Sequence, residues 1–541
     1  MRVLPLGDRG LLIEVGDALL PEINAQARAL AVRLADLPGV EEAVPALRSV
    51  LVVFDPLTAD PGLIAETAER VLPTLPPHNW GTGRLIEVPV VYGGEAGPDL
   101  EEVASLRGLS AEQAIRAHSE VEYTVYMLGF TPGYPYLGIL PEELRMNRLP
   151  SPRLRVPEGS VALADAMTGI YPLASPGGWR IIGRTPLTIY EPLEADPVVL
   201  RTGDRVRFTP ASRAQFRERL GQVPLPFPRR AIFEVRSPGL YTTVQDAGRR
   251  GHRALGIPAA GAMDLPALWA ANAAVGNAPD AAAIELTAPG PVLRVLDHLT
   301  IAIAGADLSP TLNGASIAPA TPVLLRPGQT LQFGAPRAGM WAYLAVAGGV
   351  EARRVLGSAS TYVPGLLGGS GGRRLREGDL LGSNEPPRQR RPNRASGSVE
   401  NPPIPGPHVT VRVIPGPQDE WLTEEARSAF LKEEYRISLQ GDRAGTRLDG
   451  PGLSHRTAGE FLSDGVLPGA VQVPSGGRPI VIMPDGPTTG GYPKVAVVIS
   501  ADLRLLAQAR PGSGVRFRAV TMEEAVDALH RQQAMRTERL G

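Results

Sequence analysis

Four times the chain uses the same local device, a tight glycine turn running into a short apolar strand. The copies are VLRTGDRVRF near residue 200, LLRPGQTLQF near 325, RRLREGDLL near 375 and QARPGSGVRF near 510. A turn of this kind reverses the backbone within a few residues, so the elements it joins are short strands rather than long helices. The 61 glycines and 55 prolines among 541 residues are scattered between apolar runs instead of forming a tract, which extends the pattern over the whole length. The expected fold class is mainly β with a small α/β N-terminal domain. A second echo pairs GSVALADAMTGIYP (159–172) with the stretch 469–494, GAVQV through TTGGYPK. Both run from Gly-x-Val to Thr-Gly-x-Tyr-Pro. Their separation far exceeds a solenoid period of about 20–50 residues, so the expectation is repeated β-barrel domains.

The length prior is about three to four domains. Residues 1–80 read as a small α/β unit. LLIEV (11–15) is a strand, Ile23, Ala27, Leu30 and Leu34 fall at helical spacing, SVLVVF (49–54) is a second strand, and a helix over about 61–72 ends at Pro73. Further on, helices are expected near 111–118, from 264 to 275 with Asp264 as N-cap and Pro266 in its first turn, and over about 522–536. GQVPLPFPRR (221–230) and the Pro/Arg/Ser-rich 383–407 read as linkers, the second mobile on its own.

A net charge of −1 provides no basic footprint for nucleic acid or for a membrane surface. With no cysteine, thiolate metal sites, disulfides and cysteine nucleophiles are excluded. Asp8 and Arg9 interrupt any signal-like apolar core, and no apolar run reaches the ~20 residues of a membrane span, so a cytoplasmic location is expected. The seven histidines are scattered singly, so no metal site is expected.

The richest stretch for chemistry is 464–502. Its loop 484–494 places Asp485, Thr489, Tyr492 and Lys494 among glycines and prolines. Lys494 and Lys432 are the only lysines beside a Lys+Arg total of 55, so arginine is the default cation here. An ammonium can exchange its proton where a guanidinium stays charged. QDAGRRGHRALGIPAAGAMD (245–264) sets Asp246, Arg249, His252 and Asp264 among glycines, a plausible carboxylate or phosphate receiver. Asp442 and Arg443 lie in GDRAGTRLDGP, whose alternating charges read as a salt-bridged loop. In the first half, His118 precedes an aromatic loop holding Tyr134, and SPGGWRIIGRTP carries Trp179 and Arg184. A lone histidine at a helix end is more often packed than catalytic, whereas an arginine beside an aromatic rim suits a planar anion.

Met1 to about residue 222, through GFTPGYPYLG, VPEGSVALADAMTGIYPLASPGGWRIIGRTP and TGDRVRF, resembles the B component of bacterial ATP-dependent 5-oxoprolinase. That group is also labelled allophanate hydrolase subunit 1 or kinase A inhibitor. Residues 232 to about 521 resemble the C component, also labelled biotin-dependent carboxyltransferase or allophanate hydrolase subunit 2. The motifs there include SPGLYTTVQDAGRRGHRALGIPAAGAMD, PGPQDE, DRAGTRLDGP and SDGVLPGAVQVPSGGRPIVIMPDGPTTGGYPK. Departures are Ala444, where relatives are often bulkier, and Gly486, where they often carry arginine. The resemblance implies a natural B–C fusion with an α/β domain over 1–80 and cyclophilin-like barrels over 81–222, 231–382 and 408–541, the last with a C-terminal helix. It also implies opening of 5-oxo-L-proline to L-glutamate with ATP (and magnesium), alongside a separate A subunit, a homo-oligomer being left open. The role assignments it suggests are Asp485, Lys494, Tyr492, His252 and Asp246 as catalytic groups. Arg249, Thr489, Asp264, Asp442 and Arg443 would bind substrate, and His118, Tyr134, Trp179 and Arg184 would form a second site. Two alternatives share these domains. One is a urea carboxylase-type carboxyltransferase, with carboxybiotin supplied in trans because neither lysine has a biotin-acceptor context. The other is a regulatory binder that inhibits a histidine kinase.

Overall fold

The computed structural model describes residues 1–75, 83–212, 216, 228–384, 399–456 and 461–538. The linker 221–230 falls mostly outside them, as does 385–398 of the second linker. The described end of that second linker is held rather than free. Asn401 accepts from the Gly305 amide at 2.8 Å and donates to its carbonyl at 3.0 Å, and Pro403 accepts from Arg504 at 2.9 Å.

The N-terminal unit is a four-stranded antiparallel sheet, in the order Arg2–Pro5, Gly10–Glu14, Ser49–Phe54, Val40–Pro45, with two helices. The helix Pro21–Ala35 starts on a proline, and Pro61–Val71 is capped by Asp60, whose carboxylate accepts the Gly62 amide at 2.8 Å. Both helices lay their apolar stripes on one face of the sheet, against Leu11, Ile13, Val50 and Val52. The other face, Leu6, Val44, Leu51 and Val53, is covered by Leu467 and Val497 of the chain's last barrel. The first element of the chain therefore docks on its last.

Two seven-stranded ladders close into barrels. The first runs Leu85–Tyr92, Arg180–Arg184, Ser160–Ala164, Met167–Ile170, Pro135–Gly138, Glu122–Leu128, Arg205–Pro210 and back to the start. The second runs His408–Pro415, Lys494–Val498, Ala470–Gln472, Ile480–Ile482, Gly445–Asp449, Tyr435–Ile437, Gly514–Ala519 and back. With strands numbered along the chain within each barrel, both follow the order 1-6-4-5-3-2-7. In both, the first and last strands close the ladder in parallel. This shared order is strong evidence for duplication. The Gly-x-Val echo of the sequence is strand 4 of each barrel. The Thr-Gly-x-Tyr-Pro echo does not coincide, since Thr168 lies within strand 5 and Thr489 lies after it.

Between residues 231 and 383 the strands form two packed sheets of seven and five strands rather than one closed ladder. Phe233, Leu293, Ile301 and Leu344 fill the space between them. The helix Leu265–Ala274 covers the five-stranded sheet and begins where expected, with Asp264 accepting the Ala267 amide at 3.2 Å. This helix is apolar all round because it is buried all round.

Candidate functional site

Two clusters of buried charge flank the loop 484–494. The first is centred on Arg443, 3% exposed. Its guanidinium donates from Nε and Nη2 to the Asp485 carboxylate at 2.9 and 2.8 Å, to the Gly261 carbonyl at 2.6 Å, and to Glu285. Glu285 also accepts from the Met263 amide at 2.9 Å and the Tyr343 hydroxyl at 2.8 Å, and that hydroxyl accepts the Asp264 amide at 2.7 Å. Burial opposes charge on Arg443, but Asp485 and Glu285 outweigh it and hold the guanidinium ionised. Burial pushes both carboxyls up, with Arg443 pulling each back. Removing one partner of such a set strands the others, at a cost of about 3–5 kcal/mol. The arrangement ties the last barrel to the middle sheets. Asp264 is part of it, bound by Arg504 at 3.1 Å and Gln508 at 2.9 Å, so it shapes structure instead of facing a ligand.

Beside this knot, Asp246 is fully occupied. It accepts from the Gly248 amide at 2.9 Å, the Ser358 hydroxyl at 2.6 Å, the Ser360 hydroxyl at 2.5 Å and the Ala359 amide at 2.7 Å. A carboxylate with four donors is an anchor for the 358–360 turn rather than a base. Arg249, 2% exposed, donates to the Ser360 carbonyl, while its Nε and Nη1 have no partner among the described residues. His252 is only half-buried, and burial and then Arg249 draw its pKa down.

The second cluster surrounds Lys494. This side chain is 0% exposed, and its Nζ makes no hydrogen bond among the described residues. Burial draws its pKa down, and Asp464 then Glu14 partly oppose this. The Phe461 ring lies 5.0 Å from the ammonium and packs edge-on against Trp421 at 5.4 Å. Gln472 is the cross-strand partner of Lys494, and Gln418 accepts the Lys494 amide at 3.1 Å through Oε1. Asp464 pairs in register with Gly490, and a methyl placed on Gly490 would collide with Gln472 Nε2. Four buried polar atoms here lack partners among the described residues: Lys494 Nζ, Gln472 Nε2, Gln418 Nε2 and Asp464 Oδ2. Each such group costs about 1–3 kcal/mol when left unmet, so this cluster is a concentration of polar demand that the described residues do not satisfy.

Asp485 and Lys494, expected to act together, are parted. Asp485 feels Arg443, Arg249 and Asp442, whereas Lys494 feels Asp464, Glu14 and Arg48. The loop between them turns one end into each cluster. Tyr492 is 47% exposed and belongs to neither. Thr489 instead docks the two halves of the chain, its hydroxyl accepting the Phe130 amide at 3.0 Å against Gly129. Asp442 is an exposed turn residue accepting the Ala444 and Gly445 amides at 2.8 and 3.1 Å.

The second site expected in the first half is not assembled. His118 lies in the core of the first barrel, between the Tyr92 hydroxyl at 2.8 Å and the Thr168 hydroxyl at 3.0 Å, and stacks on Phe208 at 4.5 Å. Burial holds its pKa at about 3, so the imidazole is neutral. Tyr134 and Trp179 pack edge-on at 5.6 Å in an aromatic core with Tyr136 and Tyr171. Arg184 sits at the far end of the strand Arg180–Arg184, donating to the Glu158 carbonyl at 2.7 Å and stacking on Phe216 at 4.5 Å. Among the described residues no three His, Asp or Glu side chains converge to hold a metal. Nor is any described helix long and apolar enough to cross a membrane.

This architecture is that of a carboxyltransferase-domain protein. Residues 1–200 match the carboxyltransferase domain family, subdomain C and D, and residues 255–519 match subdomain A and B. The chain is 39% identical over 295 residues to the C subunit of 5-oxoprolinase from Escherichia coli (strain K12), covering 54% of this chain and 93% of that one. It is 43% identical over 211 residues to the B subunit of 5-oxoprolinase from Escherichia coli O157:H7, covering 38% of this chain and 94% of that one. The chain thus belongs to the family of the 5-oxoprolinase B and C subunits, both joined in one polypeptide. A urea amidolyase of Lachancea kluyveri is 33% identical over 327 residues, 56% of this chain but 18% of that protein. Among solved structures, that of TTHA0988 is 40% identical, covers 94% of this chain and 99% of its own, and superposes with a TM-score of 0.84.

Proposed function

We propose that this chain is the B–C component of an ATP-dependent 5-oxoprolinase, opening 5-oxo-L-proline to L-glutamate together with a separate A subunit. The observation that carries this reading is the composite origin of the Lys494 cluster. Lys494, Asp464, Gln418 and Gln472 come from the C-like half, and Ser49, Glu14 and Arg48 close on them from the B-like half. A site built across that boundary accounts for both components being needed and for their fusion.

A lactam is a stable amide, so its oxygen needs activation before water can attack. Phosphoryl transfer from ATP to that oxygen makes the ring carbon electrophilic. One water then adds and expels the ring nitrogen, leaving an acyl phosphate that a second water cleaves to glutamate and phosphate. In this scheme Lys494 pairs with the substrate carboxylate and supplies a proton to the departing ring nitrogen, which is bonded to the carbon that bears that carboxylate. Burial of the amine favours that proton exchange.

The test is release of glutamate and ADP from 5-oxoproline and ATP, with and without the A subunit, in parallel with Lys494→Ala. Glutamate formation that depends on the A subunit and falls at least ~100-fold in the variant is expected. The urea amidolyase relative favours one second reading, carboxyl transfer from carboxybiotin to urea. Absence of glutamate under every pairing would move the assignment there.

A further inference from the structure

We propose that the groups around Lys494 recognise a small cyclic amide bearing a carboxylate, with Gln418, Gln472 and Asp464 reading the amide edge and Lys494 the negative charge. This rests on the oxoprolinase reading and locates its substrate in the fold.

The donor and acceptor inventory selects the ligand. Among the described residues, three unpaired donors, Lys494 Nζ, Gln472 Nε2 and Gln418 Nε2, stand with one unpaired acceptor, Asp464 Oδ2. The amide orientation of Gln418 is set by its Oε1 accepting the Lys494 amide. The Gln472 amide nitrogen lies against Gly490, which is the register partner of Asp464, so the donor-bearing and acceptor-bearing residues both adjoin that turn. A ring amide presents its C=O and N–H on one edge and matches that pair, with its carboxylate left for the ammonium. Urea fits poorly, because it brings no anion to Lys494. Inorganic phosphate alone fits poorly too, since it brings no N–H for Asp464. Phe461 covers the ammonium through its ring face, a weak substitute for an anion that a bound carboxylate would displace.

Asp464 offers a selective test. Its Oδ1 accepts from Ser49 and from the Gly465 amide at 3.0 Å, while Oδ2 is the unpaired atom. Asp464→Asn therefore keeps the structural bonds and turns the ligand-facing acceptor into a donor. Gln472→Glu makes the opposite exchange on the neighbouring strand, and melting curves check that both variants fold. Equilibrium dialysis of the full chain without ATP would use 5-oxo-L-proline, 2-pyrrolidinone and urea as probes.

Binding of 5-oxoproline, at least ~10-fold weaker binding of pyrrolidinone, and no competition by urea are expected. Each variant should weaken 5-oxoproline binding about 10–100-fold, or raise KM by that factor in the coupled assay if binding needs ATP. Glutamate production with unchanged binding and KM in both variants would overturn the location and leave the oxoprolinase reading standing. Urea binding in place of 5-oxoproline, or neither binding nor turnover of 5-oxoproline, would overturn both.

Discussion

Lys494 is held at a cost that its replacement should reveal. Burial lowers its folded pKa below the ordinary 10.5, so the unfolded chain binds the proton more tightly. Stability then rises with pH from the folded pKa up to about 10.5, and the full penalty applies below that window. Lys494→Met should raise the melting temperature at neutral pH, by about 1–3 kcal/mol of stability, while abolishing turnover; the gain should shrink as the pH approaches 10.5. His118 makes the contrasting case. With its pKa near 3, its ring protons should show no titration by NMR between about pH 5 and 8, and a midpoint near 6.5 would place it in solvent rather than in the barrel core. The scarcity of lysine made Lys494 conspicuous in the sequence, and the lone-histidine argument anticipated a packed His118. Gln418 and Gln472 were not legible, because amides have no sequence signature and their significance arises from strands brought together by barrel closure.

At the level of elements, glycines at close approaches decide how the units dock. A methyl on Gly465 would lie 2.6 Å from Leu51 Cβ, and one on Gly7 would lie 2.6 Å from Val497. Gly465→Ala should therefore lower stability by about 1–3 kcal/mol through overpacking, and Leu51→Gly, which removes the clashing Cβ, should recover part of that loss in a double-mutant cycle. An additive cycle would show that the sheet and barrel do not meet there. Glycine turns and apolar runs made strands such as Gly10–Glu14, Ser49–Phe54, Arg205–Pro210 and Gly514–Ala519 legible, along with the helix starting at Asp264. The strand Val40–Pro45 (VEEAVP) was missed because its glutamates argue against burial. They are explained only by the other half of the chain: Glu42 accepts from the Arg253 amide at 2.8 Å and its side chain at 3.2 Å, and Glu41 from Arg250 at 2.8 Å. The closed ladder expected over 231–382 was likewise not legible as two sheets, since strand spacing does not encode which edges meet.

For the whole molecule, the halves are joined by more than their linker. The Arg253–Glu42 and Thr489–Phe130 contacts and the apolar seam of Leu6, Leu51, Leu467 and Val497 all cross between them. Residues 1–222 and 228–541 expressed as separate chains should therefore copurify at equal amounts and restore the activity of the intact chain. Recovery of either piece alone as a stable monomer would contradict the buried seam.

The docking of the first sheet on the last barrel also sets an order of events during synthesis. The face carrying Leu6, Val44, Leu51 and Val53 leaves the ribosome well before the surface that covers it, including Leu467 and Val497. Over that interval the nascent chain carries the apolar face uncovered. Its covering surface then arrives on the same polypeptide, one copy for each, so the fused gene removes any dependence on matched expression of two partners.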